Sequence, residues 1–149
     1  MNIISVDANV IAKTIINEFD SDEAIEFLRE CVSKKVVLIA PELIQYEVIQ
    51  AVAKNKYPIS KALKIFDSEI SNLIEMKRPH HYEWLQAEKI CKTGHVKSGY
   101  PSIYDSLYHA MAIVEDGVFI TADKRHYEKS KEYGHIALLE NWRETLDFL

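Results

Sequence analysis

An α/β fold built on a parallel sheet is what this sequence predicts, and three observations predict it. Short β-rich runs alternate with longer helical patterns; two of those runs end at or just short of an aspartate; a third stops at a proline and gives way to a helix carrying a glutamate. Strands alternating with helices build a parallel sheet with helices on its faces, and ligands of such sheets bind outside the carboxyl ends of the strands.

In chain order, Ile3–Val6 (IISV) is the first strand and ends directly before Asp7. The second, VVLIA at 36–40, stops at Pro41, and the helical pattern that follows holds Glu47 in its second turn, at the flank of an apolar arc of Ile44, Val48 and Val52. Helical patterns at 60–76 and 81–92, divided by Pro79, predict a helical hairpin over one end of the sheet. The stretch 93–101 holds two glycines and a proline and is either a plain connection or a loop facing a ligand. A helix over 103–115 starts with Ser102 as N-cap and ends at Asp116-Gly117. It feeds the strand Val118–Thr121 (VFIT), which stops one residue short of Asp123, and 136–139 reads as an edge strand.

This order brings four acids to one rim. Asp7 and Asp123 follow strand ends, and Glu47 lies early in the helix after the second strand. Asp105 lies in the first turn of a helix that must run antiparallel to the strand it feeds, so its N-terminus returns to the same rim. Carboxylates held together repel: at about 5 Å and an effective dielectric near 20, each pair costs roughly 3 kcal/mol. Protonation or a cation must relieve this. All-oxygen ligands favour Mg²⁺ or Mn²⁺, which keep several waters and bind substrate phosphates. One or two such ions suit phosphodiester cleavage.

Each acid also has a plainer role open to it. Asp7 fits a turn after a strand, and Glu47 fits a carboxylate at the edge of an apolar arc. Asp105 stands in Ser102-x-x-Asp105, a helix-start signature, and Asp123 fits the start of a helix after a strand. His109, one turn below Asp105, fits packing better than ligation. Tyr104, Tyr108 and Trp84 fit either base stacking or core and interface packing, and are left outside the predicted site.

The ordered set VDANV (6–10), PELIQYEV (41–48), SIYDSLYHAMA (102–112) and TADK (121–124) resembles the PIN-domain nucleases, with small VapC-like toxins as the nearest match. The resemblance runs from Ile3 to about Leu139. It implies a three-layer α/β domain over 1–149 with a central parallel sheet of four or five strands. It implies an Mg²⁺- or Mn²⁺-dependent endoribonuclease, the toxin of a toxin–antitoxin pair, with RNA as substrate, a cognate antitoxin as partner and a homodimer as assembly. Asp7, Glu47, Asp105 and Asp123 match the acidic positions of the pattern, where they would hold one or two ions directly or through water. Asn9 and Thr121 match supporting polar positions. The stretch 57–99 carries no motif that aligns, so substrate preference does not transfer.

Composition agrees with one compact domain: 149 residues, 48% hydrophobic and 28% charged, with four glycines and four prolines. A chain of this size buries roughly 70% of its unfolded surface. Cys31 and Cys91 lack metal-ligand spacing and read as thiols of a reducing cytosol. Apolar runs fall well short of the roughly 20 residues a membrane span needs, so a cytoplasmic protein without membrane contact is expected. The net charge of −5 is unusual for a protein that meets phosphates. Local basicity must compensate: Lys124, Arg125, His126, Lys129 and Lys131 follow Asp123, and Lys89, Lys92, His95 and Lys97 approach Asp105. Lys124 and Arg125 adjoin the predicted site and are the expected RNA contacts.

Other classes fit less well. A haloacid-dehalogenase-type phosphatase would carry an aspartate where Asn9 stands, and a receiver domain would carry one where Pro41 stands. A PIN-like module that binds RNA or protein without catalysis is the remaining alternative.

Overall fold

The computed structural model describes residues 2–94 and 96–149. Five strands form one wholly parallel sheet: β1 (Ile3–Val6), β2 (Val37–Pro41), β3 (Ile74–Lys77), β4 (Val118–Thr121) and β5 (Ile136–Leu138), in the order β3-β2-β1-β4-β5. All four residues of β1 are buried, as are all but the first of β2 and of β4. Continuous apolar strands of this kind need helices on both faces, and the predicted three-layer α/β architecture is the one observed.

On one face, α1 (Ala8–Ala12), α2 (Ser21–Ser33) and α3 (Ile44–Lys54) close the larger core, in which Val10, Ile11, Phe27, Val48 and Val52 meet Ile4, Val6, Leu38 and Ala40. On the other, α7 (Ile103–Val114) lies across the central strands, with Met111 packed on Ile3 and Ile39. Buried Ser5 donates to the Tyr108 carbonyl at 2.8 Å, pinning α7 to β1 without an unsatisfied hydroxyl. Outside α7 lies α6 (His81–Cys91), joined to it through Ala87, Ile90, Leu107 and Ala110.

The segment between β2 and α6 departs from expectation. Helices form at both expected places, 59–73 and 81–91, but a strand stands between them where a hairpin connection was expected. The chain runs through α4 (Ile59–Ile65), a widened π-helical turn at Phe66–Ile70 and α5 (Ser71–Leu73), then enters β3 directly. No glycine or proline separates Leu73 from Ile74, so nothing local marks the change. The strand is specified by pairing with β2, from Leu38↔Ile74 to Pro41↔Lys77. Pro41 ends β2 rather than following it. Its missing N–H is tolerated because pairing with β1 has already stopped at Ser5↔Ile39.

The remaining helices are α8 (Lys124–Ser130) and α9 (Trp142–Asp147). The α7–β4 connection is tight: Asp116 takes a left-handed φ of 51°, and a Cβ on Gly117 would lie 2.4 Å from the Ile3 carbonyl oxygen. Only glycine permits that approach. Cys31 is buried and Cys91 half-buried, both as free thiols. No described helix is long and apolar enough to cross a membrane.

Candidate active site

Strand order reverses at β1, since β2 and β3 lie to one side and β4 and β5 to the other. The crevice at the carboxyl end of such a switch point is where α/β sheets bind ligands. Asp7 ends β1 there, and its backbone N–H still bonds the Ile120 carbonyl of β4 at 3.0 Å. Its side chain is only 5% exposed. Thr121 donates to Asp7 Oδ2 at 2.6 Å. Asn9 holds Thr121 in turn, its Nδ2 donating to Thr121 Oγ1 at 3.4 Å while its Oδ1 accepts the Ala122 N–H at 3.1 Å.

Glu47 lies in the first turn of α3, not the second as expected, because the helix begins at Ile44. Its Oε2 accepts a 2.6 Å hydrogen bond from the Tyr108 hydroxyl. Tyr108 is completely buried on α7. It was left outside the predicted site, and it belongs beside it: three residues after Asp105, it shares that helix face. That spacing was the one signal in the sequence that could have found it. Asp105 sits half-buried above Ser102, whose hydroxyl accepts the Asp105 N–H at 3.0 Å. The N-cap expected at Ser102 is therefore present.

The three carboxylates feel one another. Burial, reinforced by the charges of Asp105 and Glu47 and opposed by the Thr121 hydrogen bond, pushes Asp7 up to about 7. Glu47 is raised too, by burial and then by Asp105, against the pull of Tyr108. Tyr108 is raised by its own burial and by the Glu47 charge, so its hydroxyl stays a donor.

Asp123 is at the same rim but is engaged differently. Its Oδ1 accepts the N–H groups of Arg125 and His126, each at 3.0 Å, as the N-cap of α8. With Asp105 it lines a depression of about 310 Å³ whose other walls include Ser102, Arg125 and Lys129. Arg125 thus faces the acids. Lys124 does not line that depression; it pairs instead with Glu140 at 3.3 Å. Lys131 pairs with Glu128 and Lys92 with Glu88, while His95 lies outside the described residues. His109 is a core residue: fully buried, stacked on Phe119, pushed down to about 4 by burial, with its Nε2 bonded to the Gly134 carbonyl at 2.7 Å.

Among the described residues, no three His, Cys, Asp or Glu side chains converge closely enough to hold a metal ion by themselves. The donor set is nevertheless all oxygen, and it is charge-strained at Asp7. That combination fits a hard cation that keeps its waters and takes one or two carboxylates, rather than a closed cage.

Carboxylates gathered at the switch point of a three-layer parallel sheet define an α/β protein with an acidic rim site. The family follows from comparison: the PIN domain model matches residues 4–132, and the chain belongs to the PIN domain family, whose members are in general nucleases. Among solved structures it is similar to FitAcB from Neisseria gonorrhoeae, at 15% identity and a TM-score of 0.66, covering 91% of this chain and 95% of that one. At that identity the likeness shows the fold. No curated protein matches the chain.

Proposed function

We propose that this protein is a metal-dependent endoribonuclease, the toxin of a toxin–antitoxin pair. The observation that carries the reading is the buried, charge-strained Asp7, facing the charges of Glu47 and Asp105 at the carboxyl rim. Family membership supports nuclease chemistry. Asp7, Glu47, Asp105 and Asp123 would hold one or two Mg²⁺ or Mn²⁺ ions, directly or through water. When bound, such an ion polarises a phosphodiester and makes water a nucleophile near neutral pH.

The chain's own groups set the stage for this. Thr121 fixes the Asp7 carboxylate and Asn9 fixes Thr121. Tyr108 fixes Glu47, which otherwise has the rotamer freedom of a long side chain. Arg125 and Lys129, which line one depression with Asp105 and Asp123, would meet backbone phosphates despite the net negative charge. Of the two expected RNA contacts, Arg125 is the better placed.

The reading extends to a homodimer and to a cognate antitoxin. A groove along α3 and α4 lined by Tyr46, Ile49, Ile59 and Leu63 supports a protein contact of one kind or the other.

The test is cleavage of a mixed RNA pool by antitoxin-free wild type and Asp105→Asn, with Mn²⁺, Mg²⁺ or EDTA. Cutting by wild type with metal, lost in EDTA and reduced roughly 1,000-fold or more in the variant, is expected. Metal-independent cutting, or an unaffected variant, would sink the assignment. A protein that binds RNA and never cuts it would be the non-catalytic module instead.

A further inference from the structure

Along the rim, the carboxylates have different neighbours on their two sides. Toward β5 lies the depression with Arg125 and Lys129. Toward β3 lies an apolar groove of about 190 Å³ between the ends of β2 and β3 and the first turns of α3, α6 and α7. Tyr46, Trp84 and Tyr104 line it, together with Pro41, Pro79 and the acidic Glu42. These rings are not core: Tyr46 is 73% exposed, Trp84 42% and Tyr104 54%. Two of them directly precede site carboxylates in the chain, Tyr46 before Glu47 and Tyr104 before Asp105.

We infer that Tyr46, Trp84 and Tyr104 form a base-stacking subsite for an unpaired nucleobase flanking the phosphate presented to the carboxylates. The inference rests on the endoribonuclease reading for its substrate, but not on turnover. Aromatic rings in the first turns of α3 and α7, the turns that carry Glu47 and Asp105, together with guanidinium and ammonium groups beside Asp105 and Asp123, are the pairing a single strand meets. Every base offers a π-face to aromatic side chains, while cationic groups track the backbone. A base held in a duplex cannot enter such a groove, so the substrate is single-stranded or looped there.

The test is binding of a short fluorescein-labelled single-stranded RNA of mixed sequence, read by anisotropy in an Asp105→Asn background so that the RNA survives. Trp84→Ala and Tyr104→Ala each weaken binding by roughly 5- to 100-fold, and Trp84→Phe restores most of it. The loss disappears on an otherwise identical abasic strand. The salt dependence keeps its slope, since no phosphate contact is removed.

Equal binding by wild type and both alanine variants overturns the subsite, and so does an equal loss on the abasic strand. If the substitutions change the mass in solution and leave RNA binding alone, the groove is an interface between proteins, which also overturns it. Wild-type cleavage with Mn²⁺ separates the two proposals. Aromatic-dependent binding without cutting sinks the nuclease and leaves the subsite. Cutting with binding indifferent to the aromatics sinks the subsite alone.

Discussion

Asp7 and Asp123 occupy equivalent places on neighbouring strands, each at a strand's carboxyl end and each before a helix, yet the structure treats them oppositely. Asp123 gives its carboxylate to α8, where it accepts the N–H groups of Arg125 and His126. Asp7 stands at the N-cap of α1 without a side-chain cap hydrogen bond, and the Asn9 backbone exerts only the smallest pull on its charge. Its carboxylate is turned to Thr121 and toward two other acids. The same residue type in the same topological slot is a helix cap in one case and a buried carboxyl pushed up to about 7 in the other. The buried carboxyl is the one whose ionised form a bound cation would stabilise.

This comparison can be broken or sharpened by experiment. The largest effect is expected at Asp7: Asp7→Asn keeps the shape and removes the charge, and should reduce metal-dependent cleavage by roughly 1,000-fold. Asp123→Asn, which remains a good cap, should reduce it far less. Equal losses in a side-by-side cleavage assay would show that the two acids do the same work.

Next comes stability without metal. The folded-state value of Asp7, about 7, lies above the ordinary aspartate value of 3.8, so between those pH values the folded protein keeps a proton that the unfolded chain releases. The Asp7 contribution to stability in EDTA should therefore fall as pH rises from about 4 to about 7, by an amount on the order of a few kcal/mol, against the opposite contribution of buried His109. Asp7→Asn should flatten that slope. Denaturant melts of both proteins at several pH values measure it, and a wild-type minus Asp7→Asn difference that grows with pH through this window would contradict it.

Tyr108→Phe removes the hydrogen bond to Glu47 and leaves the packing. It should lower cleavage or Mn²⁺ affinity by roughly 10- to 100-fold, as loss of an orienting partner does. Titration with Mn²⁺ would show whether the loss lies in binding. The smallest effect is on the cap: Asp123→Ala should cost about 1 kcal/mol in a thermal melt, against a few tenths for Asp123→Asn. A large loss in both would mean that Asp123 carries more than α8.

What the sequence made legible follows the same division. Asp7, Asp105 and Asp123 were locatable because strand ends and a capped helix start are local signals, and the parallel sheet followed from alternation. β3 was not legible. Its four residues IEMK lack a turn signal in front of them, and the half-exposed edge they form owes its conformation to β2. Tyr108 was visible as an aromatic at helical spacing, but its contact with Glu47 spans 61 positions and exists only because α3 and α7 converge at the rim. Lys124 is legible in the sequence only as the neighbour of Asp123. Its pairing with Glu140 depends on the chain beyond β5.

The turn at Asp116-Gly117 has a consequence for how this chain can change length. Asp105 and Asp123 hang on the two arms of that turn, and Gly117 is wedged against β1 with no space for a side chain. An added or deleted residue between them would rotate one carboxylate out of the rim. The stretches from Asp7 to Glu47 and from Glu47 to Asp105 carry helices and loops that can lengthen at their outer ends. Length changes at those outer ends leave the rim in place, while the interval from Asp105 to Asp123 is a fixed gauge.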